Sequence, residues 1–285
     1  GALCFIGGGS NNTCGGSGTG SFIGAGKSNK AIGLGSSIIS GSNNNVSGNY
    51  SLIGAGLNNT VSGARSSIVS GSLNNVSGDG SSIDAGKSNI IYENYSFIGA
   101  GQNNTVGGAN SSIVSGINNE ALAAYSGILS GQNNKVTSIN SFIGGGTNNT
   151  VSGTDSSISS GYKNVLNSNL GFIGGGIGNS AGGTANSICG GFYNTTNGLY
   201  TFIAGGNRNN INSSGSNNSI VAGLTNTITG PGNQSIIIGG TNNIVNSVDN
   251  SAVISGSGNT VENNSSVICG GSNNFSNATQ SFIAG

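Results

Sequence analysis

SFIGAGKSNKAIGLG (21–35), SSIISGSNNNVSGNY (36–50), SLIGAGLNNTVSGAR (51–65) and SSIVSGSLNNVSGDG (66–80) are four consecutive copies of one fifteen-residue pattern. The frame runs without a slip from Ser21 to Tyr200. It then continues with small insertions through coils starting near Thr201, Asn218, Gln234, Ser251 and Ser265, and a slightly long first coil begins near Cys4. Counted this way, the chain holds eighteen full repeats and a partial nineteenth, Ser281–Gly285. Fixed-period self-similarity of this kind marks a stacked repeat architecture.

With slots numbered from Ser21, slot 3 is Ile or Val, slot 6 is Gly and slot 9 is Asn in every full repeat. Slot 11 is usually a small or medium apolar residue such as Val46, Val61 or Ile228, and slot 13 is often Gly, as at Gly48 and Gly63. Glycine fills 56 of the 285 positions, and Gly and Asn together exceed a third of the chain. Both are poor helix formers, so long amphipathic helices are excluded. A single proline and the lack of a Gly-X-Y period exclude collagen, and no apolar run is long enough for a membrane helix. Seven Lys+Arg balance seven Asp+Glu, which gives no support to nucleic-acid binding. The expected fold is all-β: a parallel β-solenoid of about fifteen residues per coil, forming one repeat domain over 1–285. Its regular coils span 21–200, and 201–285 is less regular.

Alternation places strands at slots 1–5 and 8–12, with slots 3 and 11 facing each other inside. The glycines mark bends that need a positive φ or a close backbone approach. Slot 9 puts Asn29, Asn44, Asn59, Asn74, Asn89, Asn104 and their successors, onward to Asn273, at one bend, where their amides are expected to form a structural hydrogen-bonded ladder.

Slots 2 and 4 point away from slot 3 and vary together. Phe22, Phe97, Phe142 and Phe172 go with Gly at slot 4, whereas Ile39, Val69, Val114 and Leu129 go with Ser or Gly at slot 2. Leu52 and Phe202 extend the row. One bulky group per coil is kept, which is the behaviour of a packed surface. As an exposed stripe it would exceed the apolar patch a soluble monomer tolerates. The expectation is a homo-oligomer with stripes converging on an axis, most simply a parallel trimer. An alternative is that the stripe forms the other half of a wider single-chain interior. Asp84 and Ser159 interrupt the row.

The string Ser66–Gly78 resembles the head repeat of trimeric autotransporter adhesins, the YadA-like β-roll with its N-S-V-A-I-G-x-x-S-x-A-x-G pattern. The matching residues are Ser66, Ile68, Gly71, Asn74, Val76 and Gly78, with their equivalents in each coil. The resemblance implies a left-handed β-roll, trimerised along its length and used as a surface fibre or adhesive head. Similar repeats occur in viral and phage fibre proteins, which gives the alternative owner. The period here is 15 rather than the commoner 14, and neither a heptad stalk nor a membrane anchor is present in the sequence.

There is no His, and Asp79, Asp84, Glu93, Glu120, Asp155, Asp249 and Glu262 fall in scattered slots. Neither a carboxylate pair nor a metal set is suggested, so the expectation is a non-enzymatic chain with no cofactor. Cys4 and Cys14 share a coil and leave a disulfide open; Cys189 fits the slot-4 row. Tyr50, Tyr95, Tyr125 and Tyr200 share slot 15, either covering a bend or stacking on carbohydrate. An ice-binding solenoid ranks last, because Thr60, Thr105 and Thr150 recur at slot 10 in only some coils. The reading at this point is an extracellular or virion-surface fibre or adhesin segment, cut from a longer chain. Its expected partner is itself, laterally or end to end, and the sequence does not name a host ligand.

Overall fold

The computed structural model describes residues 3–16, 20–246 and 248–285. Over these residues the chain is all-β, without a helix, and winds as a parallel β-solenoid. It forms two compact units, Gly1–Asn140 and Ser141–Gly285. The first has nine coils, from the strand Cys4–Ile6 to the strand Lys135–Val136. The second has nine, from Phe142–Ile143 to Phe275–Ser276, followed by the strand Phe282–Ile283.

Within the first unit the strands of the first coil pair seventeen residues on, as in Ile6 with Ile23, and those from Ser21 onward pair fifteen residues on, as in Ile38 with Ile53 and Val61 with Val76. Most strands are only two residues long, covering slots 2–3 and 10–11. They are shorter than alternation suggests because the backbone turns early. Slots 8 and 15 are left-handed in coil after coil, with φ of 52–59° at non-glycine residues. Slot 7 adds a third ladder of single bridges, such as Ser42 with Leu57. Two coil starts also differ from the sequence frame. Ile237 and Ile268 hold slot 3, so those coils begin at Ser235 and Ser266, and the last ladder residue is Asn274 rather than Asn273.

The core is two rows wide. Slot 3, from Ile23 to Ile268, and slot 11, most often Val and otherwise chiefly Ile, Leu or Ala, are almost wholly buried from Ile23 onward. Each such side chain stabilises its coil by about 1.5–3 kcal/mol relative to exposure. Slot 6 shows why glycine is obligatory there. Gly56 has φ +123°, and a Cβ would overlap the carbonyl oxygen of Gly71 in the next coil.

The slot-9 asparagines are buried, and their side chains work mainly on backbone rather than on one another. Asn29 Oδ1 accepts from the backbone N–H of Asn44 at 3.1 Å, and its Nδ2 donates to the Gly41 carbonyl at 2.9 Å. The same pair of bonds recurs at Asn44, Asn59, Asn74, Asn89 and Asn104. Amide-to-amide bonds appear in only some steps, at 3.1 Å for Asn44 to Asn29 and 3.2 Å for Asn104 to Asn89. The ladder expected from stacked amides is therefore chiefly a row of clamps on the next coil's peptide groups. A backbone pair recurs every coil at fixed separation, and an amide satisfies both of its groups at once.

A second ladder, at slot 1, uses serine. Ser51 Oγ donates to the Gly63 carbonyl at 2.8 Å and accepts from Ser66 N–H at 3.1 Å, the same twelve- and fifteen-residue reaches as Asn. Each coil is thus two related halves, Gly-x-x-Asn-x-Val over slots 6–11 and Gly-x-x-Ser-x-Ile over slots 13–3. Residues 183–186 show the equivalence directly. There Gly183 has φ +83°, Ala185 is left-handed, and Asn186 replaces the serine. Asn186 accepts from Thr201 N–H at 2.8 Å and donates to the Gly198 and Gly182 carbonyls, the pattern of a slot-9 clamp. Extra residues enter at this second corner. The strand Asn210–Ser216 carries a register shift against Thr195–Leu199, while Gly206 and Asn209 keep the first corner intact. Cys4 and Cys14 are joined by a disulfide across the first coil, with Cα atoms 5.9 Å apart.

Two substitutions test this account. Asn104→Ala leaves Asn119 N–H and the Gly116 carbonyl without their side-chain partner, and should cost about 2–4 kcal/mol in denaturant unfolding, with faster hydrogen exchange at Asn119. Thr196 occupies slot 11, 1% exposed, and its hydroxyl has no partner among the described residues. Thr196→Val should therefore raise stability by about 1 kcal/mol, read as a higher melting temperature; an unchanged or lower one would contradict the assignment.

Candidate interaction surface

The outward slots carry whatever this chain presents to other molecules. In the first unit, Ile39, Val69, Val114 and Leu129 at slot 4 are 45–54% exposed, and Phe22 at slot 2 is 37% exposed. Leu52 and Phe97 are half-buried in the same row. In the second unit Phe142, Phe172 and Phe202 are exposed at slot 2. The stripe therefore lies outside the coil, and the alternative of a wider single-chain interior is excluded. Alternation is the cause: slots 1 and 3 point inward with Ser and Ile, which leaves slots 2 and 4 outside.

The exchange of bulk between slots has a local geometry. A Cβ on Gly99 would lie 3.4 Å from Cε1 of Phe97, so the ring lies beside slot 4 of its own coil. Gly24 and Phe22 repeat this contact. The phenylalanines and the slot-4 aliphatics thus supply bulk to adjacent parts of one band. Phe5 and Phe22 stack with centroids 5.6 Å apart, beside an apolar groove of about 330 Å³ lined by Leu3, Cys4 and Gly20. Asp84 and Ser159 are exposed at slot 4 and interrupt the band in one coil each. In the second unit Cys189 occupies slot 4, and the corrected frame places Cys269 there too.

The other outward rows are more polar. Slot 10 runs Thr60, Asn75, Ile90, Thr105, Glu120 and Lys135 in register, chemically irregular from coil to coil. Lys135 and Glu120 pair across neighbouring coils at 2.7 Å, both partly exposed, an interaction worth at most about 1 kcal/mol. Acids at slot 14 act on backbone: Asp79 Oδ1 accepts from Ala64 N–H at 2.7 Å, and Asp249 Oδ1 from Asn233 N–H at 2.7 Å. The slot-15 tyrosines cover the bend. The Tyr50 and Tyr95 rings lie over Gly35 and Gly80 of the preceding coil.

A different chemistry appears at the first corner of the second unit. Tyr162, Ile177 and Phe192 follow one another at slot 7, with Lys163, Tyr193 and Arg208 beside them at slot 8. Lys163 Nζ lies 4.9 Å from the Tyr162 ring centroid, and the Arg208 guanidinium 5.7 Å from that of Tyr193. The hydrogen bond with Tyr162 holds the Lys163 ammonium above the ordinary lysine value. Sequence inspection missed this cluster because its members are fifteen residues apart. The serine ladder and the slot-14 acids were also missed, and in their case the signal was a recurring Ser or Asx at a fixed slot.

Among the described residues no group of three or more His, Cys, Asp or Glu side chains could hold a metal ion. Among the described residues no helix is long and apolar enough to cross a membrane. No protein-family model and no curated protein matches the chain.

Proposed function

We propose that this chain is a non-enzymatic structural segment of an extracellular fibre or adhesin, working at a cell or virion surface. In this reading parallel copies associate as a left-handed, trimeric β-roll through the slot-2/slot-4 stripe. The observation that carries it is the outward stripe itself, which keeps one bulky side chain in most coils, Asp84 and Ser159 marking exceptions, although nothing in the same coil covers it. A surface facing only water gains nothing from conserving volume, whereas a surface facing an equivalent surface packs badly unless it does. Parallel copies around an axis put identical slots at the same height, so each coil meets its own equivalent and the interface closes. The resemblance of Ser66–Gly78 and its equivalents to adhesin head repeats supports the same architecture. The Cys4–Cys14 disulfide fits an oxidising compartment.

Sedimentation equilibrium should give about three times the 27.6 kDa chain mass. Phe97→Asp combined with Val114→Asp should dissociate the assembly, because two carboxylates would be buried at adjacent levels, while the far-ultraviolet β signal stays. A monodisperse monomer of the unaltered chain at micromolar concentration would overturn the proposal.

Slot 4 also contains its own reporter. If stripes converge in parallel register, Cys189 meets Cys189 of another copy, and Cys269 meets its equivalent. Mild oxidation should then yield covalent dimers on non-reducing gels, which disappear in the Cys189→Ser, Cys269→Ser chain. Dimers absent from the oxidised unaltered chain would contradict the parallel register.

A further inference from the structure

The first corner of the second unit differs from the rest of the outward surface. Elsewhere slots 7 and 8 are mainly small or amide-bearing, as in Ser42-Asn43 and Gln102-Asn103. Between Tyr162 and Arg208 they instead present three aromatic rings and two cations. Tyr162, Phe192 and Tyr193 are 39%, 51% and 55% exposed. Gly178 has no side chain, and the Tyr193 ring fills the space that a side chain there would take, carrying an aromatic surface back over the preceding coil. Among the described residues neither Lys163 nor Arg208 forms an ion pair with a carboxylate. Both cations sit against rings, which orients them without neutralising them.

We propose that this corner binds a linear carboxylated polysaccharide, a chain of uronic acid residues. The apolar C–H faces of sugar rings stack on Tyr193, Phe192 and Tyr162, and Lys163 and Arg208 pair with the carboxylates. The planar guanidinium suits a carboxylate by a two-point hydrogen bond, and the ammonium acts as a point charge. The two cations are three coils apart, about 14 Å along the stack, so one sugar cannot reach both. The row is one corner wide and follows the stack, which matches an extended polymer and not the broad face a globular partner needs.

The test uses the full chain and titration calorimetry at low ionic strength, with oligogalacturonate as the probe. Lys163→Asn combined with Arg208→Asn removes both cations and installs the residue that slot 8 already carries at Asn43 and Asn58, so the left-handed backbone is retained. Binding of oligogalacturonate should weaken about tenfold in this variant, and a similar loss should follow Tyr193→Asn. Lys27→Ser combined with Lys87→Gln makes the same change in net charge at slot 7 of the other unit, and should leave affinity unchanged. The proposal is overturned if the unaltered chain does not bind the probe, or if the two double variants weaken it equally. It is also overturned if neutral dextran, dextran sulfate, polyglutamate or oligothymidylate binds as tightly as oligogalacturonate.

Discussion

Most peptide groups of a coil bond backbone to backbone with neighbouring coils, but at the two corners an N–H such as that of Asn59 or Ser66 meets no backbone carbonyl, and a buried peptide group without a partner is costly. The clamp from a corner side chain to the next coil's backbone meets that need. At the first corner an asparagine takes one N–H and gives to one carbonyl of the following coil; at the second, a serine hydroxyl does the same. The remaining constraints follow from this contact. The coils must approach closely enough for a short side chain to reach, which excludes a Cβ at slot 6 and crowds slot 13. The corner must turn within three residues, which puts slots 8 and 15 in the left-handed region.

Those constraints explain which parts of the fold were legible in the sequence. Slots 3, 6, 9 and 11 each admit one residue type or a narrow class, so the period, the two-row core and the first corner could be read directly. The left-handed slots could not. Asn43, Tyr50, Arg65, Leu73 and Lys163 all share nearly the same φ, and five unrelated residue types hide a common backbone state. Asparagine favours that state, and the less suited residues are held there by the coils on either side. The relation between the two half-repeats was hidden for a similar reason, since Asn and Ser do one job with side chains of different length. It surfaces where Asn186 and Asn218 take the serine position. The frame slipped by one residue at Ser235 and Ser266 because the doublets Asn242-Asn243 and Asn273-Asn274 offer two equally plausible slot-9 residues.

The outward stripe was legible because its signal is a correlation within one strand: bulk leaves slot 4 when Phe enters slot 2. The cluster around Tyr193 was not, because slots 7 and 8 face outward and tolerate many side chains, even with slot 8 held left-handed, and its members approach only through stacking. A periodic scaffold brings residues fifteen apart into contact whatever they are. Chemistry can therefore be assembled along the stack without any local motif.

Buried slots 1, 3, 9 and 11, together with the glycines of 6 and often 13, hold the coil together and have little freedom to change. Outward slots are only weakly tied to the fold, as Asp84 shows by standing in a row of aliphatics without altering the register of Ile83 between Ile68 and Ile98. Low charge and high Gly and Asn content thus describe the scaffold rather than the surface. In such a chain a departure from the common residue at an outward slot costs little stability, so it can persist for what it contacts. Successive departures at adjacent coils, such as Tyr162, Ile177 and Phe192, are for that reason more informative about function than any property averaged over the repeat.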